Sequence, residues 1–171
     1  DCGAEAVLVP HVISAEMATR VVSACRYRGG SRGFSASARA GRYGGRTMWE
    51  HVDAADASVA VIAMIEDPAA VERIDEIVAV DGLDAVFIGR GDLTVSYGAP
   101  TRDAAVIQEA VARIMTAAAR ANVPVCLMTD SLAEAKAFAD GGASAFIVSS
   151  DQAFMRKAAR AALAEFATLK K

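Results

Sequence analysis

Residues 58–93, SVAVIAMIEDPAAVERIDEIVAVDGLDAVFIGRGDL, hold two apolar runs on either side of one helical pattern, and their reading decides the fold. The first run, Ser58 to Ile65, is continuous and rich in β-branched residues, which suits a strand buried on both faces. Glu66 ends it. Asp67 and Pro68 make a favourable helix start, because Asp caps and Pro fits the first turn, and AAVERIDEIVAV follows with apolar residues at helical spacing. DAVFIG, from Asp84, returns to a strand, and Gly89-Arg90-Gly91-Asp92 reads as a tight turn beyond it.

The same alternation extends in both directions. Upstream, EAVLV from Glu5 to Val9 is a short β-leaning run, and Ser14 caps the helical pattern SAEMATRVVSACRY. The stretch from Arg28 to Gly45 is polar, glycine-rich and longer than an ordinary connection, and Thr47 then caps a short helix through Ala57. Downstream come a helical pattern from Arg102 to Ala121, the strand VPVCLM, a helix from Leu132 to Ala139 closed by Gly141 and Gly142, the strand SAFIVS, and a last helix capped by Asp151. Apolar strands alternating with amphipathic helices specify an α/β fold with a parallel sheet. No strand is followed by G-x-G-x-x-G, so a (β/α)₈ TIM barrel is expected over an open dinucleotide-binding sheet. A barrel takes about 250 residues, and five units are legible in 171. Residues 1–171 are therefore expected to be a single domain, the C-terminal part of a barrel comprising strands four to eight, with three units lying before Asp1.

Composition narrows the partners. The net charge of −3 is spread without blocks, which gives no electrostatic reason to expect nucleic acid. The longest apolar run, Val59 to Ile65, is far short of the roughly 18 residues of a membrane span. No basic and then apolar leader opens the chain, so a cytoplasmic protein is expected. Cys2, Cys25 and Cys126 have no metal-type spacing and read as reduced thiols.

In a parallel barrel the chemistry sits at the C-terminal strand ends. The polar residues just beyond the apolar runs are Pro10 and His11, Glu66, Gly89 to Asp92, Thr129 and Asp130, and Ser149 to Asp151. Glu66 and Asp92 end consecutive strands, which lie about 5 Å apart, so the two carboxylates can share a hard divalent cation with positions left for water and substrate. Each reads equally well as a helix cap or a salt-bridge partner. Glycines at 89 and 91 let a ligand approach the backbone, whose N–H groups can hold a carboxylate, although a plain tight turn accounts for GRGD as well. His11 faces the same end of the sheet, where a packed or hydrogen-bonded histidine is the more common case. His51, with Trp49 in a short helix, reads as a surface or packing residue rather than a catalytic one. Asp130, Ser149 and Asp151 read as helix caps.

Three stretches together resemble one family. IAMIEDPAAVERIDEIVAVDGLDAVFIGRGDLTVSYG from Ile62 looks like the signature region of the HpcH/HpaI aldolases, which include citrate-lyase β-type and sugar-acid aldolases. VLVPHV from Val7 resembles that family's fourth barrel strand, and RYRGGSRGF from Arg26 its following loop, so the likeness runs from about Gly3 to Leu169. It implies a metal-dependent carbon–carbon lyase that cleaves a 4-hydroxy-2-oxo acid to pyruvate and an aldehyde through a metal-stabilised enolate. Glu66 and Asp92 would be the ligands of Mg²⁺, Mn²⁺ or Co²⁺, and the N–H groups of Gly91 and Asp92 would bind the pyruvate carboxylate. A homo-oligomer is implied. No Schiff-base lysine is needed, and none follows a strand: Lys136, Lys157, Lys170 and Lys171 fall on helices or the tail.

The departures set the alternatives. The family's catalytic histidine and keto-binding arginine belong to early barrel strands that this sequence does not show, so no residue is assigned to either role. Position 90 is Arg where relatives often carry a small residue or proline; Arg90 either faces an anionic substrate or points to solvent. Of the loop arginines Arg28, Arg32, Arg39, Arg42 and Arg46, Arg32 is the one expected to do more than line a solvated loop. A non-catalytic truncated barrel that binds metal or partner subunits, and an acyl-CoA lyase of the citrate-lyase β type, stay open. A phosphotransfer barrel like pyruvate kinase, whose motif GRGDL also resembles, lacks the nucleotide-binding features.

Overall fold

The computed structural model describes residues 1–169. Lys170 and Lys171, read above as tail residues, lie outside the described residues. The strands are Ala6–Val9 (β1), Ala60–Ile65 (β2), Ala85–Ile88 (β3), Val125–Thr129 (β4) and Ala145–Val148 (β5). All neighbours pair in parallel, in the order β1-β2-β3-β4-β5. A doubly wound sheet reverses its strand order at a switch point. This sheet never reverses, and it curls as half of a TIM-type barrel does.

The helices are Ala15–Cys25 (α1), Met48–Ser58 (α2), Pro68–Glu72 (α3), Ile74–Val78 (α4), Arg90–Ser96 (α5), Ala105–Ala121 (α6), Leu132–Asp140 (α7) and Asp151–Phe166 (α8). Local chemistry fixes several ends. Ser14 accepts the Met17 N–H, Glu50 accepts the Thr47 N–H and hydroxyl, and Gly141 closes α7. Lys136 and Lys157 lie on α7 and α8.

Some expectations change. The pattern AAVERIDEIVAV is two short helices rather than one, broken at Arg73 (φ −105°, ψ 17°), and the break lets Ile74, Ile77 and Val78 join Ala70 and Val71 in the core. Asp67 sits at the N-cap of α3, but its side chain makes no capping bond and turns to His11 instead. GRGD is not a free turn: Arg90 begins α5, anchored by the fully buried Leu93, whose N–H reaches the Gly89 carbonyl at 2.9 Å. Asp130, Ser149 and Asp151 are not caps. Ser131 and Ser150 take that role because their short hydroxyls reach Glu134 and Ala153 N–H groups, while Asp130 pairs with Arg102 and Ser149 adopts φ 61°. Asp151 is the first residue of α8 and accepts the Gln152 N–H.

The core lies between the sheet and α3, α4 and α6. Val61, Ala63, Ile65, Val86, Ile88 and Leu127 pack on that side against Ile74, Ile77, Ile107 and Ile114. β2 alternates between half-buried and buried residues, so one face is fully covered and the other partly, short of the two-sided burial its composition predicts. On the other face β3 stays buried at Ala85 and Phe87, but towards the sheet edges cover is lost: Leu8 and Val7 of β1, Met128 of β4, and Ile147 and Val148 of β5 are exposed. The whole of α8 is without a buried residue. No described helix is long and apolar enough to cross a membrane.

The long loop after α1 is tied down. Asp56 accepts the N–H groups of Tyr27 and Arg28, both at 2.9 Å, and Arg26 bonds the Val59 carbonyl and pairs with Asp84. His51 is buried between Tyr27 and Phe34 in edge-on contacts, which makes it a packing residue and not a surface one.

Candidate metal centre

Glu66 directly follows the last residue of β2, Ile65, whose register partner is Ile88 of β3. The chain leaves β3 through Gly89, whose N–H bonds the Ile65 carbonyl at 3.0 Å, and then places Asp92 in the first turn of α5. Both predicted carboxylates thus arrive at the C-terminal edge of adjacent strands. Glu66 is only 3% exposed, whereas Asp92 is exposed. Burial first, and then the neighbouring Asp92 charge, push the Glu66 pKa up, against the opposing pull of the His11 N–H.

Gly89 has a job that only contact geometry reveals. A Cβ there would lie 2.8 Å from Glu66 Cβ and 2.9 Å from Met64 Cε. Glycine is needed because the β3 exit passes against the Glu66 side chain, not because of a positive φ. Gly89→Ala is therefore expected to lower stability by about 1–3 kcal/mol through overpacking and to displace Glu66. Urea denaturation checks the first effect, and a Mn²⁺ titration on the folded variant checks the second.

His11, assigned only to the right end of the sheet by sequence, lies beside Glu66. Its main-chain N–H donates to Glu66 Oε1 at 2.9 Å, and its ring Nδ1 is 3.0 Å from Asp67 Oδ2 and 3.3 Å from Glu66 Oε1. Its pKa is raised, chiefly by the bond to Asp67 and then by the Glu66 charge. One donor atom from each of His11, Glu66 and Asp67 lies within 4.8 Å of the others. The Asp67 contact was missed because it depends on strand register. Val9 pairs with Ala63, so two residues further on His11 reaches the level of Ile65, and one sequence does not disclose that register.

Arg90 takes neither of its expected positions. It is buried, with Nη1 2.7 Å from Glu134 Oε1, Nη2 donating to the Met128 carbonyl at 2.8 Å, and its guanidinium 4.9 Å from the Phe138 ring centre. It fastens the start of α5 to β4 and α7. Arg32 stacks over Tyr27 at 4.2 Å, and Arg28 pairs with Asp53 and lies over Trp49, while Arg39 and Arg42 are exposed. Thr129 is buried at the end of β4.

The donor set fits a hard divalent cation. Two carboxylates meet at one strand edge, one of them buried, and among the described residues the only cationic group paired with Glu66 is His11. The Gly91 and Asp92 N–H groups fall in the first turn of α5, where no intrahelical acceptor exists. Oxygen donors with open positions are what Mg²⁺ or Mn²⁺ requires.

Fold and site together define a parallel half-barrel with paired carboxylates at its C-terminal face. The model of the HpcH/HpaI aldolase/citrate lyase family matches residues 1–158, and the chain belongs to that family. It is 33% identical to a hydroxypyruvate/pyruvate aldolase of Paraburkholderia phytofirmans, over 96% of this chain and 65% of that protein. It is 40% identical to a 4-hydroxy-2-oxovalerate aldolase of Novosphingobium aromaticivorans, over 84% of this chain and 54% of the relative. The crystal structure of an HpcH/HpaI aldolase/citrate lyase family protein from Burkholderia cenocepacia superposes with a TM-score of 0.90 at 28% identity, covering 97% of this chain and 66% of that one. The chain thus spans just over half to just under two thirds of the length of these relatives.

Proposed function

We propose that this chain carries the metal-binding half of a carbon–carbon lyase that cleaves a 4-hydroxy-2-oxo acid to pyruvate and an aldehyde. The observation that carries the proposal is the buried Glu66 carboxylate beside Asp92 at adjacent strand ends, in a member of an aldolase family. Glu66 and Asp92 would hold the divalent cation, which supplies Lewis-acid polarisation of the 2-oxo group when bound. The exposed Gly91 and Asp92 backbone offers its free N–H groups to the substrate carboxylate, which orients the oxo acid. Glu66, held by the His11 N–H, keeps a fixed position as the substrate exchanges.

In this reading residues 1–171 are one domain, the fourth to eighth units of a barrel. The support is the exposed apolar residues of β1 and β5, which further strands would cover. The uncovered Phe154, Met155, Leu163 and Phe166 of α8 support assembly into a homo-oligomer.

Exchange of the pyruvate methyl protons in D₂O, followed by proton NMR with and without Mn²⁺ or Mg²⁺, tests the reaction class. Metal-dependent loss of the methyl signal is expected. Metal binding without exchange would point instead to a barrel segment that binds the cation but lacks turnover, a reading favoured by the open sheet edges.

A further inference from the structure

His11 stands at φ 55°, in the left-handed region that few residues other than glycine enter. Such a residue persists where its surroundings over-determine it. Two contacts do so here. The main-chain N–H is aimed at Glu66 Oε1 at 2.9 Å, and the ring Nδ1 meets Asp67 Oδ2 at 3.0 Å. The first contact uses one oxygen of the buried carboxylate and so limits how the group can rotate. The second ties the β1–α1 connection to the residue that follows Glu66. Asp67 is free for this because it makes no capping bond to α3.

We propose that His11 is a positioning residue for the metal site: its bond to Asp67 holds the connection in the left-handed turn that keeps the His11 N–H on Glu66 Oε1. The inference rests on the reading of Glu66 and Asp92 as metal ligands. The side chain therefore acts on the buried carboxylate through the main-chain N–H, beside the ring's own 3.3 Å approach of Nδ1 to Glu66 Oε1, which explains how a largely exposed ring can matter there. Outer contacts of this kind change metal affinity because they fix the ligand's orientation before the cation arrives. Asparagine tolerates the left-handed region and carries a side-chain amide donor, so it is the conservative replacement.

The test is calorimetric titration of Mn²⁺ into the wild-type chain and into His11→Ala, His11→Asn, Asp67→Ala, the His11→Ala/Asp67→Ala double variant and Glu66→Gln, each first checked for folding by circular dichroism. His11→Ala is expected to weaken binding about tenfold, and His11→Asn to recover most of that loss. The double variant should bind no more weakly than the weaker of its two parents, because both substitutions cut one tether. Unchanged affinity in His11→Ala, or losses that multiply in the double variant, overturns the proposal while Glu66→Gln still shows the metal site. Unchanged affinity in Glu66→Gln instead overturns the metal site itself. Should His11→Ala fail to fold, Asp67→Ala against His11→Asn decides the same question: weak binding in the first and near-wild-type binding in the second supports the tether, and equal binding in the two overturns it.

Discussion

Glu66→Gln is expected to weaken Mn²⁺ binding by more than about 100-fold, since even changes to groups outside the ligand shell cost ~10–100-fold. The substitution keeps the shape of the side chain and leaves an amide oxygen to accept the His11 N–H, so what it removes is charge. That charge is half of what the two carboxylates offer a cation. Without metal the same charge is a burden on the fold: burial and Asp92 both favour its protonated form. The metal-free variant is therefore expected to be at least as stable as the wild type. Titration calorimetry and thermal melts on the same samples check the two halves. A variant that lost stability while its metal binding stayed unchanged would show that Glu66 serves the fold and not the cation.

Arg90→Ala is expected to lower stability by about 2–4 kcal/mol, one of the larger effects available outside the apolar core. The guanidinium joins the start of α5 to the Met128 carbonyl, to Glu134 and to the Phe138 ring, and it is only 8% exposed. Truncation would leave the Met128 carbonyl and Glu134 without this partner. Because the Glu134 side chain is 27% exposed, part of the loss is recovered as it turns to water, so the estimate lies below that for a fully buried pair. Arg90→Met should cost less, about 1–2 kcal/mol, by keeping the packing stem. Chemical denaturation of both variants gives the comparison. Equal losses in the two would place the whole effect in the polar contacts.

The candidate site was partly legible before any coordinates. An acidic residue just beyond an apolar run marks a strand end, and two such residues on consecutive strands come close when the sheet keeps those strands adjacent, as it does here. Glu66 directly follows β2, whereas Asp92 stands beyond the end of β3, in the first turn of α5, and comes to the same end of the sheet by way of the Gly89 exit. Arg90 and His11 were not legible to the same depth. Their partners, Glu134 at 44 positions' remove and Glu66 at 55, are brought in by strand order and register. Register follows from which face of each strand is buried, and that is a property of the assembled sheet. Helix caps failed for a more local reason. Runs such as Thr129-Asp130-Ser131 and Ser149-Ser150-Asp151 offer several residues able to cap, and a shift of one position is beyond what side-chain chemistry distinguishes.

The alternation of apolar strands with amphipathic helices determined, without coordinates, that this chain builds a parallel α/β sheet with acidic groups at one end. Backbone hydrogen bonding and helix cover leave few other uses for such a pattern. Only the tertiary structure decided that the strands follow one another in unreversed order, that Gly89 must lack a Cβ to clear Glu66, and that His11 turns through a left-handed step onto that carboxylate. Each of these is a contact between residues distant in the chain, and such contacts come into being only when the sheet closes its register.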